Sequence, residues 1–163
     1  SPGLSLVETW ETMIEILAGG RVRAIGVSNY QAGHLRTVIG ATGVTPSVNQ
    51  IEIHPYLTQT ALRSLHRELG VVTESWSPLG RGRVLADPEG GRVAAGLGGS
   101  PAPVVIRWHL QHGLVVFPKS TDVERLRVNA EVFSFALTPE QMRILDGLDR
   151  GLRTGSHPDR VQV

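Results

Sequence analysis

The sequence predicts an α/β fold, with parallel strands and helices in alternation along a single domain of residues 1–163. Short apolar runs of strand character alternate with longer runs in which apolar residues recur at helical spacing. Glycines close several of the helical runs, as helix ends require. The length also suffices for one sizeable core. A helix between two consecutive strands requires those strands to be parallel and joined by right-handed crossovers.

The first half of the chain contains three strand patterns, each next to helical patterns. Ser5 and Glu8 form a capping-box pattern before an apolar helical run. The middle strand carries Asn49, Gln50 and Glu52, and polar groups in a buried strand must be paired or functional. The predicted elements are a helix at 6–17, a strand at 22–27, a helix at 31–39, a strand at 47–53, a helix at 58–69 and a strand at 71–76.

The second half opens with residues 81–100, which are rich in Gly, Arg and Ala without a period, so we expect one long flexible loop there. Thr138 followed by Pro139 is typical of a helix start. The tail at 150–163 is polar and is expected along the surface. The predicted elements are a helix at 103–111, a strand at 113–117, and helices at 122–129 and 138–148.

Two architectures accommodate this alternation, a doubly wound sheet and a TIM barrel. A barrel needs eight strands to close, and four are predicted here. The segment Gly80-Arg81-Gly82 lacks the third glycine of a dinucleotide fingerprint, and no helical pattern begins there. A Rossmann-type site is therefore weakly supported.

Composition narrows the function classes. An apolar content of 40% and a net charge of +1 describe an ordinary globular protein, not one that binds nucleic acid or a membrane surface. No apolar run reaches the length of a membrane span. Zero cysteines exclude disulfides and thiolate metal sites, so we expect no metal and a cytoplasmic location.

A basic turn follows the last predicted strand and is a plausible anion site. Pro118, Lys119 and Ser120 supply a rigid residue, a cation and a hydroxyl, and Arg125 and Asn129 follow four apart on one helical face. Lys119, Ser120 and Arg125 can therefore converge on one phosphate, together with the helix N-terminal amides. The structural alternative is a solvated basic start of a helix.

Four segments at strand ends occur in order along the chain. They are GVSNY at 26–30, VNQIEIHPY at 48–56, WSPLG at 76–80, and FPKS at 117–120 continuing to residue 129. With these segments the sequence resembles the aldo-keto reductase family over essentially the whole chain. The resemblance implies a (β/α)8 TIM barrel of which this chain supplies about the C-terminal half, with NADPH extended across the carboxyl ends of the strands.

Matching positions imply a binding role for ten residues. Near the nicotinamide, the carboxamide would be bound by Ser28, Asn29 and Gln50, and Trp76 would stack on the ring. The pyrophosphate would be lined by Ser77 and Leu79. The 2′-phosphate would be held by Lys119, Ser120 and Arg125, and the adenine would contact Asn129. The family often has a glutamate where Val128 stands, and this departure weakens the adenine contact.

Several of these residues have structural alternatives. Asn29 is a common turn former after a strand. Gln50 can satisfy a buried backbone group, and Trp76 can belong to the core. His54 lies in a segment that is usual in the family, and we interpret it as structural or as part of a pocket wall.

The implied reaction is reduction of aldehydes or ketones, in which a tyrosine acts as general acid with help from a lysine, an aspartate and a histidine. In the family these four residues lie on the first four strands. This chain is expected to begin after them, and Tyr30 and Tyr56 do not match the catalytic tyrosine. No catalytic residue is assigned, and the chain alone is expected to be inactive towards a small carbonyl substrate.

Three alternatives stay open for such a truncated chain. It is the cofactor-binding half of a reductase, a non-catalytic NADPH-binding half-barrel or regulatory subunit, or a structural remnant. Open sheet edges and an exposed half-core predict self-association, or pairing with a missing N-terminal half.

Overall fold

The structure, a computed structural model, describes residues 5–160. The last three residues of the predicted tail, 161–163, lie outside the described part. Helices and strands alternate as predicted. The helices are α1 (Leu6–Ala18), α2 (Ala32–Thr42), α3 (Thr60–Leu69), α4 (Pro88–Gly96), α5 (Pro101–Gln111), α6 (Val123–Ala130) and α7 (Pro139–Asp146), and the strands are β1 (Val27–Ser28), β2 (Val48–Glu52), β3 (Val72–Trp76) and β4 (Val115–Val116).

The strands form one sheet in the order β1-β2-β3-β4. β1 and β2 are parallel, with Val27 opposite Asn49 and Ser28 opposite Gln50. Each neighbouring pair is connected through at least one helix, as parallel strands require. The predicted α/β fold with four parallel strands is confirmed.

The chain divides into two compact units. Within the described residues, the first unit comprises 5–51, 60–74 and 156–160, and the second comprises 52–59 and 75–155. The boundary runs within β2 and β3, so neither strand belongs wholly to one unit.

The first unit is built around Trp10, which α1 buries against Ile25 and Val38. The indole Nε1 of Trp10 donates to the Val44 carbonyl at 3.1 Å, so the polar atom of this buried ring is satisfied. The Ser5–Glu8 capping box begins α1 as predicted. β1 is shorter than the predicted strand at 22–27, because only Val27 of that run pairs with β2.

The second unit has its core around Tyr56, Val84 and Val105, with Leu79 and Leu152 packed against them. Leu152 thus ties part of the predicted surface tail into a core. The prediction of an irregular loop at 81–100 is wrong, because a 3-10 helix at Gly80–Ala86 and then α4 occupy that stretch.

The reason for this correction is a capping signal inside a sequence without an apolar period. The Asp87 side chain accepts hydrogen bonds from the backbone amides of Glu89 and Gly90, and Pro88 takes the first turn of α4. Val93 and Ala94 are then enough to bury one face of the helix. None of the helices in the described part of the chain combines the length and apolar character needed to cross a membrane.

Candidate functional site

The turn after β1 holds three of the predicted site residues together. The Gln50 carbonyl accepts a hydrogen bond from the Ser28 hydroxyl at 3.1 Å and from the Asn29 amide at 2.8 Å. Asn29 has a backbone φ of 61°, in the left-handed region that most residues other than glycine rarely adopt. The structure therefore brings Ser28, Asn29 and Gln50 to one place, with a local backbone strain of the kind that clusters at functional sites.

Asn49, a residue without a predicted role, supports this turn from below. Its Oδ1 accepts from the Tyr30 amide at 3.3 Å, and its Nδ2 donates to the Tyr30 carbonyl at 2.8 Å. Nδ2 also lies 3.0 Å from Nε2 of His66, whose Nδ1 lies 2.8 Å from the Thr73 hydroxyl. Because an amide nitrogen only donates, His66 must accept at Nε2 and carry its proton on Nδ1. Burial lowers the pKa of His66 to about 4, which keeps this neutral form.

The side chain of Gln50 has a partner that differs from the predicted structural alternative. Its Nε2 donates to Oε1 of Glu74 on β3, not to a buried backbone group. This contact orients the carboxamide from the neighbouring strand. A ligand that uses the Gln50 side chain would share it with Glu74.

In the second unit, Trp76 is the last residue of β3, and Ser77 and Leu79 follow it. Ser77 has a φ of 49°, so a second non-glycine residue with left-handed backbone directly follows a strand. The indole of Trp76 is partly exposed, as a stacking surface must be. Leu79 packs its partly buried side chain against the core of the second unit.

The basic turn after β4 borders an open pocket of about 410 Å³. Lys119 and Asn129, both predicted to contact the adenosine end of the cofactor, lie on its wall. The other lining residues are apolar or small: Val116, Phe117, Pro118, Leu126 and Ala130. An apolar pocket with one cation and one amide fits an aromatic base carrying a phosphate.

Ser120 and Arg125 lie outside this pocket lining and are held by Asp122 instead. The Ser120 hydroxyl accepts from the Asp122 amide at 3.1 Å. The Asp122 carboxylate accepts from the Arg125 amide at 2.9 Å and lies 3.7 Å from the Arg125 Nε. These contacts lower the pKa of Asp122, the hydrogen bond from Arg125 most of all. The predicted convergence of Lys119, Ser120 and Arg125 on one phosphate therefore requires Arg125 to turn from Asp122, at little cost because both side chains are exposed.

A second group that sequence analysis missed lies at the end of β2. The Glu52 carboxylate is fully buried and accepts at Oε1 from the Thr154 amide at 2.6 Å and the Thr154 hydroxyl at 2.5 Å. Its Oε2 accepts from the Gly155 amide at 3.3 Å. Burial raises the pKa of Glu52, but the hydrogen bonds from Thr154, His54 and Gly155 outweigh it and leave the net pKa below the ordinary value. The polar pattern of β2 was the available signal for this contact.

His54 agrees with its structural interpretation. It is fully buried, with Nε2 3.1 Å from Oε1 of Glu52. Burial lowers its pKa, against the opposing effect of Glu52.

Among residues 5–160 there is no group of three or more acidic or histidine side chains arranged to hold a metal.

The hydroxyls of both tyrosines have raised pKa values. Burial raises the pKa of Tyr30. Burial, and then Asp87, raise the pKa of Tyr56, whose hydroxyl donates to Oδ2 of Asp87 at 2.7 Å. A tyrosine that works as a general acid near neutral pH needs the opposite shift.

Comparison with known proteins places these features in a family. A sequence model of the aldo/keto reductase family matches residues 2–150. An aldo-keto reductase of Mycolicibacterium smegmatis is 46% identical over 152 residues, which cover 93% of this chain and 55% of that protein. A protein of Corynebacterium sp. named 2,5-diketo-D-gluconic acid reductase B is 48% identical over 154 residues, covering 94% and 56% of the two chains. This chain thus spans about half the length of these curated relatives.

Solved structures support the same assignment. The apo form of Gox0644 superposes with a TM-score of 0.93 at 48% identity, covering 96% of this chain and 58% of that one. A variant of Gox0644 in complex with NADPH matches with the same TM-score. An aldo/keto reductase from Brucella melitensis has a TM-score of 0.85 at 38% identity. These neighbours are TIM-barrel proteins, so the predicted fold class, about half of a (β/α)8 barrel, is confirmed. With the matched segment, the relatives and the fold in agreement, the chain belongs to the aldo/keto reductase family.

Proposed function

We propose that this chain is the cofactor-binding part of an NADPH-dependent oxidoreductase that reduces aldehydes or ketones to alcohols. The main support is the backbone at two strand ends. Asn29 and Ser77 both adopt left-handed conformations directly after β1 and β3. In barrels of alternating strands and helices, binding and catalytic residues follow the carboxyl ends of the strands. Asparagine tolerates this conformation, but a left-handed serine at a position predicted to bind the cofactor favours a ligand role for Ser77 over an ordinary turn.

The polar groups of one turn would hydrogen-bond the carboxamide of the nicotinamide. Ser28, Asn29 and Gln50 present a hydroxyl and two carboxamides within one hydrogen-bonded turn. Trp76 would stack on the ring, and the backbone of Ser77 and Leu79 would face the pyrophosphate. When bound, NADPH supplies the hydride for the carbonyl carbon.

The adenosine end would lie in the pocket after β4. Lys119 and Asn129 line it, and its apolar wall suits the adenine. The 2′-phosphate would be held by Lys119, Ser120 and Arg125, once Arg125 has exchanged its exposed contact with Asp122 for the phosphate. This arrangement would favour NADPH over NADH.

The proton donor is proposed to lie outside these residues. The pKa of Tyr30 and that of Tyr56 are both raised, and the Tyr56 hydroxyl is occupied by Asp87. The same observation supports the second candidate, a non-catalytic half-barrel or regulatory subunit that binds NADPH without turnover. Oxidation of NADPH by the chain in the presence of a generic aldehyde distinguishes the two.

Cofactor binding itself is tested by calorimetric titration with NADPH, NADH and ATP. The proposal expects NADPH to bind more tightly than NADH, because only NADPH carries the 2′-phosphate. ATP controls for general affinity towards adenine and phosphate. No heat from any of the three would leave the third alternative, a structural remnant.

We also propose that the chain self-associates or pairs with a further segment of the barrel, in a cytoplasmic setting. α6 buries none of its side chains, and Val123 and Phe133 are both 76% exposed. Large apolar side chains exposed to this extent favour association.

A further inference from the structure

The carboxylate of Glu52 is fully buried and accepts several hydrogen bonds, and no proposed role yet uses it. An ionised group without solvent is tolerated only with several donors. Glu52 receives three from Thr154 and Gly155, at 2.5 to 3.3 Å, besides its contact with His54. Two of these donors are backbone amides, so what the carboxylate fixes is the path of the chain at residues 154 and 155.

A second set of hydrogen bonds fixes the same segment from its other end. The Gln59 Nε2 donates to the Glu52 carbonyl at 2.7 Å, and the Arg153 Nη2 donates to the Gln59 Oε1 at 3.2 Å. Gln59 has a φ of 49°, so its backbone adopts an unfavourable conformation that this placement of the side chain compensates. Arg153, Thr154 and Gly155 are thus each tied directly or through Gln59 to Glu52.

The segment held in this way lies against Trp76. A Cβ atom added at Gly155 would be 2.5 Å from Cη2 and 3.4 Å from Cζ2 of the indole. Real Cβ atoms do not approach aromatic carbons so closely, hence the Gly155 backbone packs on the edge of the ring. The added Cβ atom would also be 3.5 Å from Oε2 of Glu52, so the same glycine lies against both the Glu52 carboxylate and the indole.

We propose that Glu52 is a positioning residue that anchors Thr154 and Gly155 against the indole of Trp76 and thereby fixes the orientation of that ring. The proposal rests on the cofactor role given above to Trp76. An indole held at its edge presents a defined face for stacking, whereas an unanchored side chain would rotate about its two torsions. Glu52 therefore holds the indole of Trp76 in place, and Glu52 itself does not touch the cofactor.

The two variants that test this act on opposite ends of the contact. Glu52→Gln keeps the shape of the side chain but replaces one oxygen by an NH2 group, which only donates. The remaining oxygen can accept from Thr154 or from Gly155, but not from both. Gly155→Ala leaves Glu52 intact and places a methyl group where the ring edge lies. Glu140→Gln, at an exposed position on α7, is the matched control.

The measurement is ¹⁹F NMR of protein labelled with 5-fluorotryptophan, recorded without cofactor. The chain has three tryptophans, and the resonance lost in Trp76→Phe belongs to Trp76. We expect Glu52→Gln and Gly155→Ala to shift or broaden the Trp76 resonance and to leave those of Trp10 and Trp108 in place, while Glu140→Gln changes none. An unmoved Trp76 resonance in Glu52→Gln would overturn the proposal, because the methyl group of Gly155→Ala touches the ring directly and shifts its resonance whether or not Glu52 acts as an anchor.

Two further observations distinguish the proposed anchoring from a change of fold and from a wrong cofactor role for Trp76. If Glu52→Gln disturbs all three resonances, its fold has changed, and Thr154→Val decides the question instead. NADPH is then added to the unaltered chain. A Trp76 resonance that NADPH leaves unchanged contradicts the cofactor role of Trp76, whereas the anchoring of the ring is decided by the cofactor-free spectra alone.

Discussion

The side-chain amide of Asn49 donates to Nε2 of His66 at 3.0 Å, so the turn that carries Asn29 depends on a histidine that has to remain neutral. Asn49 clamps both backbone groups of Tyr30, and protonation of His66 at Nε2 would remove the acceptor that orients this amide. The nicotinamide end of the proposed site is therefore linked to a titratable group on α3.

Acidification should destabilise the chain through His66. Its folded pKa of about 4 lies below the ordinary 6.5, so the unfolded state binds more protons between these values. The contribution of neutral His66 to the free energy of unfolding is fully present above pH 6.5. It is lost as the pH falls towards 4, by at most about 1.4 kcal/mol per pH unit for one proton. Urea denaturation at intervals from pH 7.5 to 4.5 measures this.

The variant His66→Gln separates this effect from other groups. Burial also lowers the pKa of His54, which contributes in the same direction. The variant should therefore flatten the pH dependence without abolishing it. His157→Gln, at a partly exposed position, is the control and should keep the full slope. An unchanged slope in His66→Gln would show that His66 titrates alike in both states.

Lys119→Ala and Arg125→Ala should each weaken NADPH binding by about 1 to 3 kcal/mol, the range of a charge-assisted contact, and leave NADH nearly unchanged. Titration of each variant with both cofactors measures the difference. Arg143→Ala, which removes an exposed ion pair with Glu140 on α7, should alter neither affinity. Equal losses for NADPH and NADH would refute the 2′-phosphate assignment.

Asp87→Ala should destabilise the second unit by roughly 1 to 3 kcal/mol, because it removes an N-cap and strands a buried tyrosine hydroxyl. Asp87 accepts from Tyr56 at 2.7 Å and from Arg150 at 3.3 Å, and the Arg150 guanidinium lies 3.7 Å above the Tyr56 ring. Tyr56→Phe removes only the hydroxyl and should cost less. Thermal unfolding of both variants gives the comparison, and an equal or reversed order would contradict this account.

Self-association should weaken when the exposed apolar residues of the second unit are made polar. Val123→Ser together with Phe133→Ser is the variant, since each position is 76% exposed and neither belongs to a core. Sedimentation velocity over a range of concentrations should show faster species in the unaltered chain than in the variant. A compact monomer for the unaltered chain at all concentrations would contradict the proposal.

The spacing of apolar residues and the helix-capping residues were sufficient to predict the alternation of strands and helices, because both are local properties of the sequence. The capping box at Ser5 and the helix start at Thr138 are confirmed. The stretch at 81–100 was mispredicted, since one Asp-Pro pair and two buried residues, Val93 and Ala94, carry the helix there.

The site was predictable only in part. Polar residues in β2 indicated paired groups, and Asn49 and Glu52 are indeed paired. Their partners could not be inferred, because His66 and Thr154 are 17 and 102 residues away from them in sequence. The pairing of Arg125 with Asp122 was likewise hidden, since the same spacing fits a capped helix and a phosphate site.

The contact between Glu52 and Thr154 sets an order of events during synthesis of the protein. The two residues are 102 positions apart, so the carboxylate leaves the ribosome long before its donors do. A buried anion without those donors is costly, hence the region around Glu52 has to stay hydrated while the intervening helices form. The part of the second unit that holds Trp76 can therefore reach its final packing only after Thr154 and Gly155 have emerged.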